Sequence, residues 1–199
     1  MNCSLTTKSE ALVATLGKFS TCTILQYSNA NESSIDSDID AIVISGSKAR
    51  IVKASYRDEF NGVVNLVKNC DLPTLGICFG HQLLCWSLGA EVGCRKHEAF
   101  KGFANIRVLV PDGLFSGLEK DSTVPLAENH YDYVKKRSLD KAGFVLLADS
   151  RSCKVEAVRH KIKPFYGVQF HPERIEVNGE SHSEGHRVIE NFYSNVVKR

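Results

Sequence analysis

Thr74-Leu75-Gly76-Ile77-Cys78-Phe79-Gly80-His81-Gln82 is the stretch from which the fold is read. Pro73 to Ile77 is a short apolar run of the kind that forms a buried strand, and it ends directly on Cys78. From Phe79 to Leu88 the apolar residues fall at helical spacing, with Gly89 placed to cap that helix. A strand, a G-x-C-x-G turn and a helix in immediate succession form a nucleophile elbow, with cysteine where serine is usual. The turn needs glycines on both sides because close chain approach leaves no room for a Cβ. It lifts the sulfur above the sheet edge, where the N-terminus of the following helix favours a thiolate. A buried cysteine between two packing glycines would give the same local pattern, so the turn alone does not settle a role.

Outward from the elbow, strand-like runs alternate with helical periods, the pattern of an α/β protein. Residues 8–18 are expected as a helix, 21–27 as a strand, 29–38 as a polar loop, 41–45 as a buried strand and 56–70 as a helix. The second half changes character. Short strands are expected at 106–110, 124–127, 144–148, 155–158 and 165–170, with few helices between them, and an amphipathic helix at 183–197 closes the chain. The expected fold is an open, mostly parallel sheet flanked by helices in flavodoxin-like layers, with a small added β region in the second half. One domain over 1–199 is expected, with no internal repeat and no low-complexity linker.

A second motif gives the elbow a partner. In Gly167-Val168-Gln169-Phe170-His171-Pro172-Glu173, a strand delivers His171 at its C-terminal end, where open α/β sheets place ligands. Glu173 lies two residues on, and Pro172 stiffens the connection. A carboxylate holding one imidazole nitrogen while the other faces a thiol is the logic of a cysteine triad. An isolated H-P-E on a loop would carry little weight, but an elbow cysteine and a strand-end His-x-Glu seldom coincide.

Composition limits the alternatives. The 199 residues are 43% hydrophobic and 24% charged, with a formal net charge of +2, an ordinary balance for a globular protein. No run of like charges indicates nucleic-acid binding, and no apolar stretch indicates a membrane span. The seven cysteines include no C-x-x-C pair, so reduced thiols in a cytoplasmic protein are expected rather than disulfides or zinc. His182 and His186 stand four apart without an evident third ligand, and no metal and no cofactor is expected. Trp86 and Cys85 read as core, and Lys135-Lys136-Arg137 as a solvated basic face.

Together, G-I-C-F-G-H-Q and G-V-Q-F-H-P-E resemble the class I (triad) glutamine amidotransferases over most of the chain, from about Ala41 to Phe192. The resemblance implies hydrolysis of glutamine to glutamate and ammonia through a γ-glutamyl thioester on Cys78. His171 would be the base and then the acid, and Glu173 would orient it. It implies a glutamine pocket drawn from Gly46, Ser47, Phe79, Gln82, Asn129, Tyr131 and Asp132. Within the family, Glu128–Val134, Ser152–His160 and Ser181–Phe192 are similar to segments of the glutaminase subunits of two-subunit GMP synthases. That likeness implies, as partner, a separate ATP-dependent synthetase that receives the ammonia. The chain has neither a P-loop nor an S-G-G-x-D-S loop of its own.

Three departures stand out. Where the family has S-G-G, this chain reads Ser45-Gly46-Ser47, and a positive φ at Ser47 would cost about 1 kcal/mol. Only Met1 to Leu5 stand in the place of a first strand, so that strand is expected to be missing or a stub. Residues 174–180 lengthen the loop after Glu173. Two other roles stay open: a free-standing γ-glutamyl hydrolase or peptidase (or the glutaminase of another pathway), and a non-catalytic regulatory binding module of the same fold.

Overall fold

The computed structural model describes residues 1–3, 10–95 and 99–198. Eleven strands and five α-helices are assigned within them. The strands are β1 (Ile42–Ile44), β2 (Thr74–Ile77), β3 (Val92–Cys94), β4 (Phe100–Val108), β5 (Thr123–His130) and β6 (Asp132–Val134). They continue with β7 (Phe144–Asp149), β8 (Ala157–His160), β9 (Phe165–Val168), β10 (Glu176–Val177) and β11 (Glu180–Ser181). The helices are α1 (Glu10–Leu16), α2 (Ala54–Glu59), α3 (Asn61–Asn69), α4 (Phe79–Ser87) and α5 (Glu184–Phe192).

Seven strands form the main sheet in the order β1-β2-β9-β8-β7-β4-β5. The pairs β1·β2 and β2·β9 are parallel, and every pair beyond β9 is antiparallel. Followed across the sheet, β1, β2, β9, β7 and β5 run one way, and β8 and β4 run against them. The expected α/β sheet is therefore present, with its parallel part where the two motifs lie. The sheet also curls. Although β5 is its far edge, the Ala127 carbonyl of β5 accepts the N–H of His171, just past the end of β9, at 2.7 Å.

Each face of the parallel part is covered because its strands point apolar side chains both ways. Leu75, Ile77, Val168 and Phe170 pack with Val188, Ile189 and Phe192 of α5. Ile42, Ile44 and Phe165 pack on the other face with Val63, Val64 and Val67 of α3 and with Phe79 and Leu83 of α4. A smaller cluster joins Cys85 to Val134, Phe144, Val155 and Val158 under the antiparallel part. Fully burying one such side chain contributes about 1.5–3 kcal/mol, so these layers hold the strand ends in register.

Several expectations are revised. The first strand is a stub: the Asn2 N–H donates to Leu25, Tyr27 donates to Asn2, and Ser45 donates to Met1. Met1–Cys3 thus lies between the 25–27 segment and β1, bridging Gln26 in parallel at Asn2. Among the described residues, the strand expected at 21–27 is a single bridge at Gln26. The helix expected at 56–70 breaks at Phe60, whose φ of −101° and ψ of 13° end one helix and start the next. Phe60 is drawn inward between Tyr27 and Phe79, at ring-centre distances of 4.4 and 4.7 Å, and Asn61-Gly62 has little helical preference to resist it. Residues 8 and 9 of the expected first helix lie outside the described residues. The long loop after Glu173 is a hairpin of β10 and β11. Asn178 and Gly179 both take positive φ, at 54° and 85°, as a two-residue type I′ turn requires.

The elbow rests on one close approach. A Cβ on Gly80 would stand 2.1 Å from the Ile44 carbonyl oxygen and 3.0 Å from the Ile44 Cβ, and a backbone atom cannot swing aside. Gly89 has an empty surround and a φ of 100°, so a side chain there meets strain alone. Gly80→Ala should lower unfolding stability by about 3 kcal/mol, and Gly89→Ala by about 1 kcal/mol. Urea titration of the two variants against the parent measures the difference, and equal losses would remove the contact between α4 and β1 as the reason for Gly80.

Candidate active site

The site is built where β1, β2 and β9 end. Cys78 leaves β2 with φ 52° and ψ −104°, a region that a residue with a Cβ occupies only under constraint, at about 1–3 kcal/mol. Its N–H donates to the Val168 carbonyl at 2.8 Å, and its carbonyl accepts the Gln82 N–H at 3.1 Å, opening α4. Gly76 makes the turn possible, since a Cβ there would lie 2.6 Å from the Gly80 carbonyl oxygen.

His171 and Cys78 meet around Gly46, and the His171 ring is hydrogen-bonded to Glu173. Nδ1 donates to Glu173 Oε1 at 2.8 Å, which leaves Nε2 for the thiol. His171 and Cys78 are 6% and 4% exposed, so the relay is shielded from water. Burial alone would push the imidazole down. The charges and hydrogen bonds of Cys78 and Glu173 outweigh it and raise His171 from 6.5 to about 10. Burial also opposes the Glu173 carboxylate, but the facing His171 holds it below its ordinary 4.5. The resting histidine therefore carries a proton.

The expected pocket residues fall into three positions. Gly46 touches the relay directly: a Cβ there would be 3.0 Å from His171 Cε1 and 3.7 Å from the Cys78 Cβ. Asn129 offers its backbone carbonyl 3.8 Å from Cys78 Sγ. Ser47 follows Gly46 with its Oγ accepting the Ala49 N–H at 3.0 Å. It is not among the residues with positive φ, so the strain anticipated from the missing glycine does not arise. Phe79 places its ring in the core beside Phe60. Gln82 lies beneath, where its amide donates to the Asp132 carbonyl at 2.7 Å and to Gln169 Oε1 at 3.1 Å. Tyr131 is 43% exposed at the rim, under the Arg50 guanidinium. The Asp132 carboxylate is buried against Arg50.

Two residues that the motifs did not single out belong here. The Gln169 side chain donates to Cys78 Sγ at 3.8 Å while accepting from Gln82. A local signal for it exists, because Gln169 and His171 are two apart on an extended run and so share a face. Arg50 has none, since its partner Asp132 lies far along the chain. A buried acidic pair also backs the wall. Ser150 Oγ donates to Glu156 at 2.6 Å, Ser152 Oγ donates to Glu128 at 3.2 Å, and His130 Nε2 lies 3.2 Å from Glu128. Burial and the neighbouring Glu128 push the Glu156 carboxyl well up, whereas His130 and Glu156 bring Glu128 down against its own burial.

The His182 ring meets Phe103 edge-on, His186 lies 3.5 Å from Thr15 Oγ1, and Lys135 and Arg137 both pair with Glu91. Arg57 stacks on Trp86. No helix among the described residues is long and apolar enough to cross a membrane.

Known proteins share this architecture. A family described as glutamine amidotransferase class-I matches residues 5–196. The glutamine-hydrolysing GMP synthase subunit of Methanothermobacter thermautotrophicus is 40% identical over 130 residues, 65% of this chain and 64% of that protein. Its counterpart from Archaeoglobus fulgidus is 38% identical over 136 residues, covering 68% and 67%. The alignments thus span about two thirds of the length of these relatives. A crystal structure from Thermoplasma acidophilum, provisionally described as a GMP synthase subunit, superposes with a TM-score of 0.80 at 27% identity, over 96% of this chain and 90% of that one.

The relay carries a pH signature. His171 is raised in the folded state, so its contribution is complete below about pH 6.5 and is lost as pH rises through about 10. Glu173 is lowered, so its contribution is present above about 4.5 and is lost as pH falls through its folded value. The stability gap between the parent and Glu173→Gln should be widest between about pH 4.5 and 6.5 and narrow on both sides. Urea midpoints across pH measure it, and a gap that does not vary with pH would mean that the pair is not ionised as described.

Proposed function

The chain belongs to the class-I glutamine amidotransferase family, and on that premise we propose that it hydrolyses glutamine through Cys78 and feeds the ammonia to a separate ATP-dependent synthetase. The observation that carries the reading is the buried relay Cys78–His171–Glu173, set at the ends of two neighbouring parallel strands. In the first step the Cys78 thiolate attacks the carboxamide carbon of glutamine, forming a C–S bond. The proton held by His171 goes to the departing nitrogen, and the C–N bond breaks to release ammonia. Water then attacks the γ-glutamyl thioester with His171 as base. The C–S bond breaks, glutamate leaves, and the thiolate and imidazolium return.

Charge develops on the carbonyl oxygen in both steps. Backbone N–H groups at the start of α4 and in the Gly46–Ser47 segment are the donors assigned to it in this reading, and preorganised donors of this kind supply the largest share of such catalysis. Gln169 and the Asn129 carbonyl fix the sulfur from the other side. The ammonia acceptor is proposed from the relatives, since both sequence relatives are glutamine-hydrolysing subunits of GMP synthases. The reading therefore places this chain as the glutaminase of a GMP synthase that aminates XMP.

A diazo-ketone analogue of glutamine should add one glutamyl-derived group to the parent and none to Cys78→Ala, as read by intact mass. Glutamate release should fall by at least about 10³-fold in Cys78→Ala, and it should rise when an ATP-dependent GMP synthetase, XMP and ATP are added. Glutamate release that ignores the partner and extends across γ-glutamyl peptides would assign the chain to free-standing γ-glutamyl hydrolysis. Absence of labelling in folded protein, with and without the partner, would leave a binding module.

A further inference from the structure

We propose that the Arg50–Asp132 ion pair is a positioning clamp that holds the Gly46–Ser47 segment beside Cys78. The proposal rests on the acyl-transfer reading above and adds to it residues that do not touch the reacting atoms. Residues 46–53 leave β1 without helix or strand structure, so no ladder fixes them. At the near end Gly46 lies against His171 and Cys78, and the Ser47–Ala49 turn continues outward. Four residues on from Gly46, Arg50 Nε donates to Asp132 Oδ1 at 2.6 Å. Its Nη2 reaches Cys94 Sγ at 2.8 Å, and the guanidinium lies 4.9 Å over the Tyr131 ring. The other Asp132 oxygen accepts the Val52 N–H at 3.4 Å. One carboxylate thus grips the segment at two points.

A clamp works only if its fixed jaw does not move. Asp132 is 2% exposed, and its carbonyl takes the Gln82 amide at 2.7 Å and His130 Nδ1 at 2.9 Å. Gln82 stands on α4, the helix that Cys78 opens. Nucleophile, α4, Gln82, Asp132, Arg50 and the Gly46–Ser47 segment therefore form one mechanical frame. The Asp132 carboxylate is already engaged by Arg50 and the Val52 N–H, and losing one partner of a buried ion pair leaves the other charge uncompensated at a high cost. That separates it from a side chain left open to bind substrate. Arg50 is the outer jaw, 25% exposed on its side chain.

Two variants test the clamp in the full chain, assayed with the synthetase partner where hydrolysis needs it. Arg50→Ala should lower kcat by about 10- to 100-fold, less than the loss of a whole oxyanion donor, with the glutamine KM within about threefold. Alkylation of Cys78 by iodoacetamide forms no oxyanion, so its rate should match the parent. Arg50→Lys keeps the charge, guards against misfolding of the alanine variant, and should recover part of kcat. Amide exchange should quicken over residues 47–53 in Arg50→Ala and stay slow in α4. A raised KM at full kcat would make Arg50 a substrate ligand, and alkylation falling with kcat would make the effect general disorder. Unchanged exchange over 47–53 would overturn the clamp whether or not the parent hydrolyses glutamine, whereas an inactive parent with quickened exchange would sink the glutaminase reading alone.

Discussion

Everything in this molecule depends on a cysteine held where a side-chain-bearing residue does not willingly sit. At φ 52° Cys78 is strained, and the turn persists because its surroundings over-determine it. Gly76 and Gly80 let the helix start crowd onto β2 and β1, and the Cys78 N–H is tied into the neighbouring strand at Val168. The Phe79 ring, fully buried against Phe60, then fixes the roll of α4. Strain of this size is small beside the burial of several core side chains, so the layers on both faces can hold it. The turn also points the sulfur at the one edge where β9 can deliver a histidine.

The second constraint is charge in a dry place. His171, Glu173 and Cys78 are each nearly enclosed, and burial opposes the charged form of both the histidine and the carboxylate. Mutual attraction reverses that outcome, which is why the relay works as a unit. A lone imidazole at this depth would be neutral, as His81 shows: with burial and the neighbouring His130 acting on it, it falls to about 3. At the Glu128–Glu156 pair the same burial acts on two acids, and it pushes Glu156 up while His130 helps to hold Glu128 down. His130 meets Glu128 with one nitrogen and the Asp132 carbonyl with the other.

The elbow and the His-x-Glu strand end were legible because each is written in a few adjacent residues whose chemistry has a narrow range of uses. The same holds for the layered α/β class, since alternating strand and helix runs leave few ways to cover both faces. What escaped was written across distance. Arg50 and Asp132 carry no local mark of their pairing, and the break at Phe60 follows from aromatic neighbours brought by two other segments. Gln169 and the Asn178-Gly179 hairpin are different: both signals are local, one a period of two and the other a turn dipeptide, yet each sits beside a stronger motif. Ser47 shows the opposite failure. A glycine missing from a pattern implied strain, and the backbone at that point never needed the glycine's freedom.

The antiparallel half is what turns an elbow into a pocket. A parallel sheet alone would bring Cys78 and His171 to one edge and leave the sulfur facing water. Because β8 and β4 reverse direction and the sheet curls, the far edge strand β5 returns to the same edge. Its Ala127 carbonyl anchors the backbone of His171, and the Asn129 carbonyl closes over the thiol. Tyr131 follows β5, and after it comes Asp132, which fixes the loop after β1 through Arg50. The segments that follow the two outer strands of a seven-stranded sheet are thereby joined by one ion pair. An insertion that flattened the curl would separate Ala127 from His171 and Asp132 from Arg50 together, leaving all three relay residues in the chain but no enclosed place for them to react.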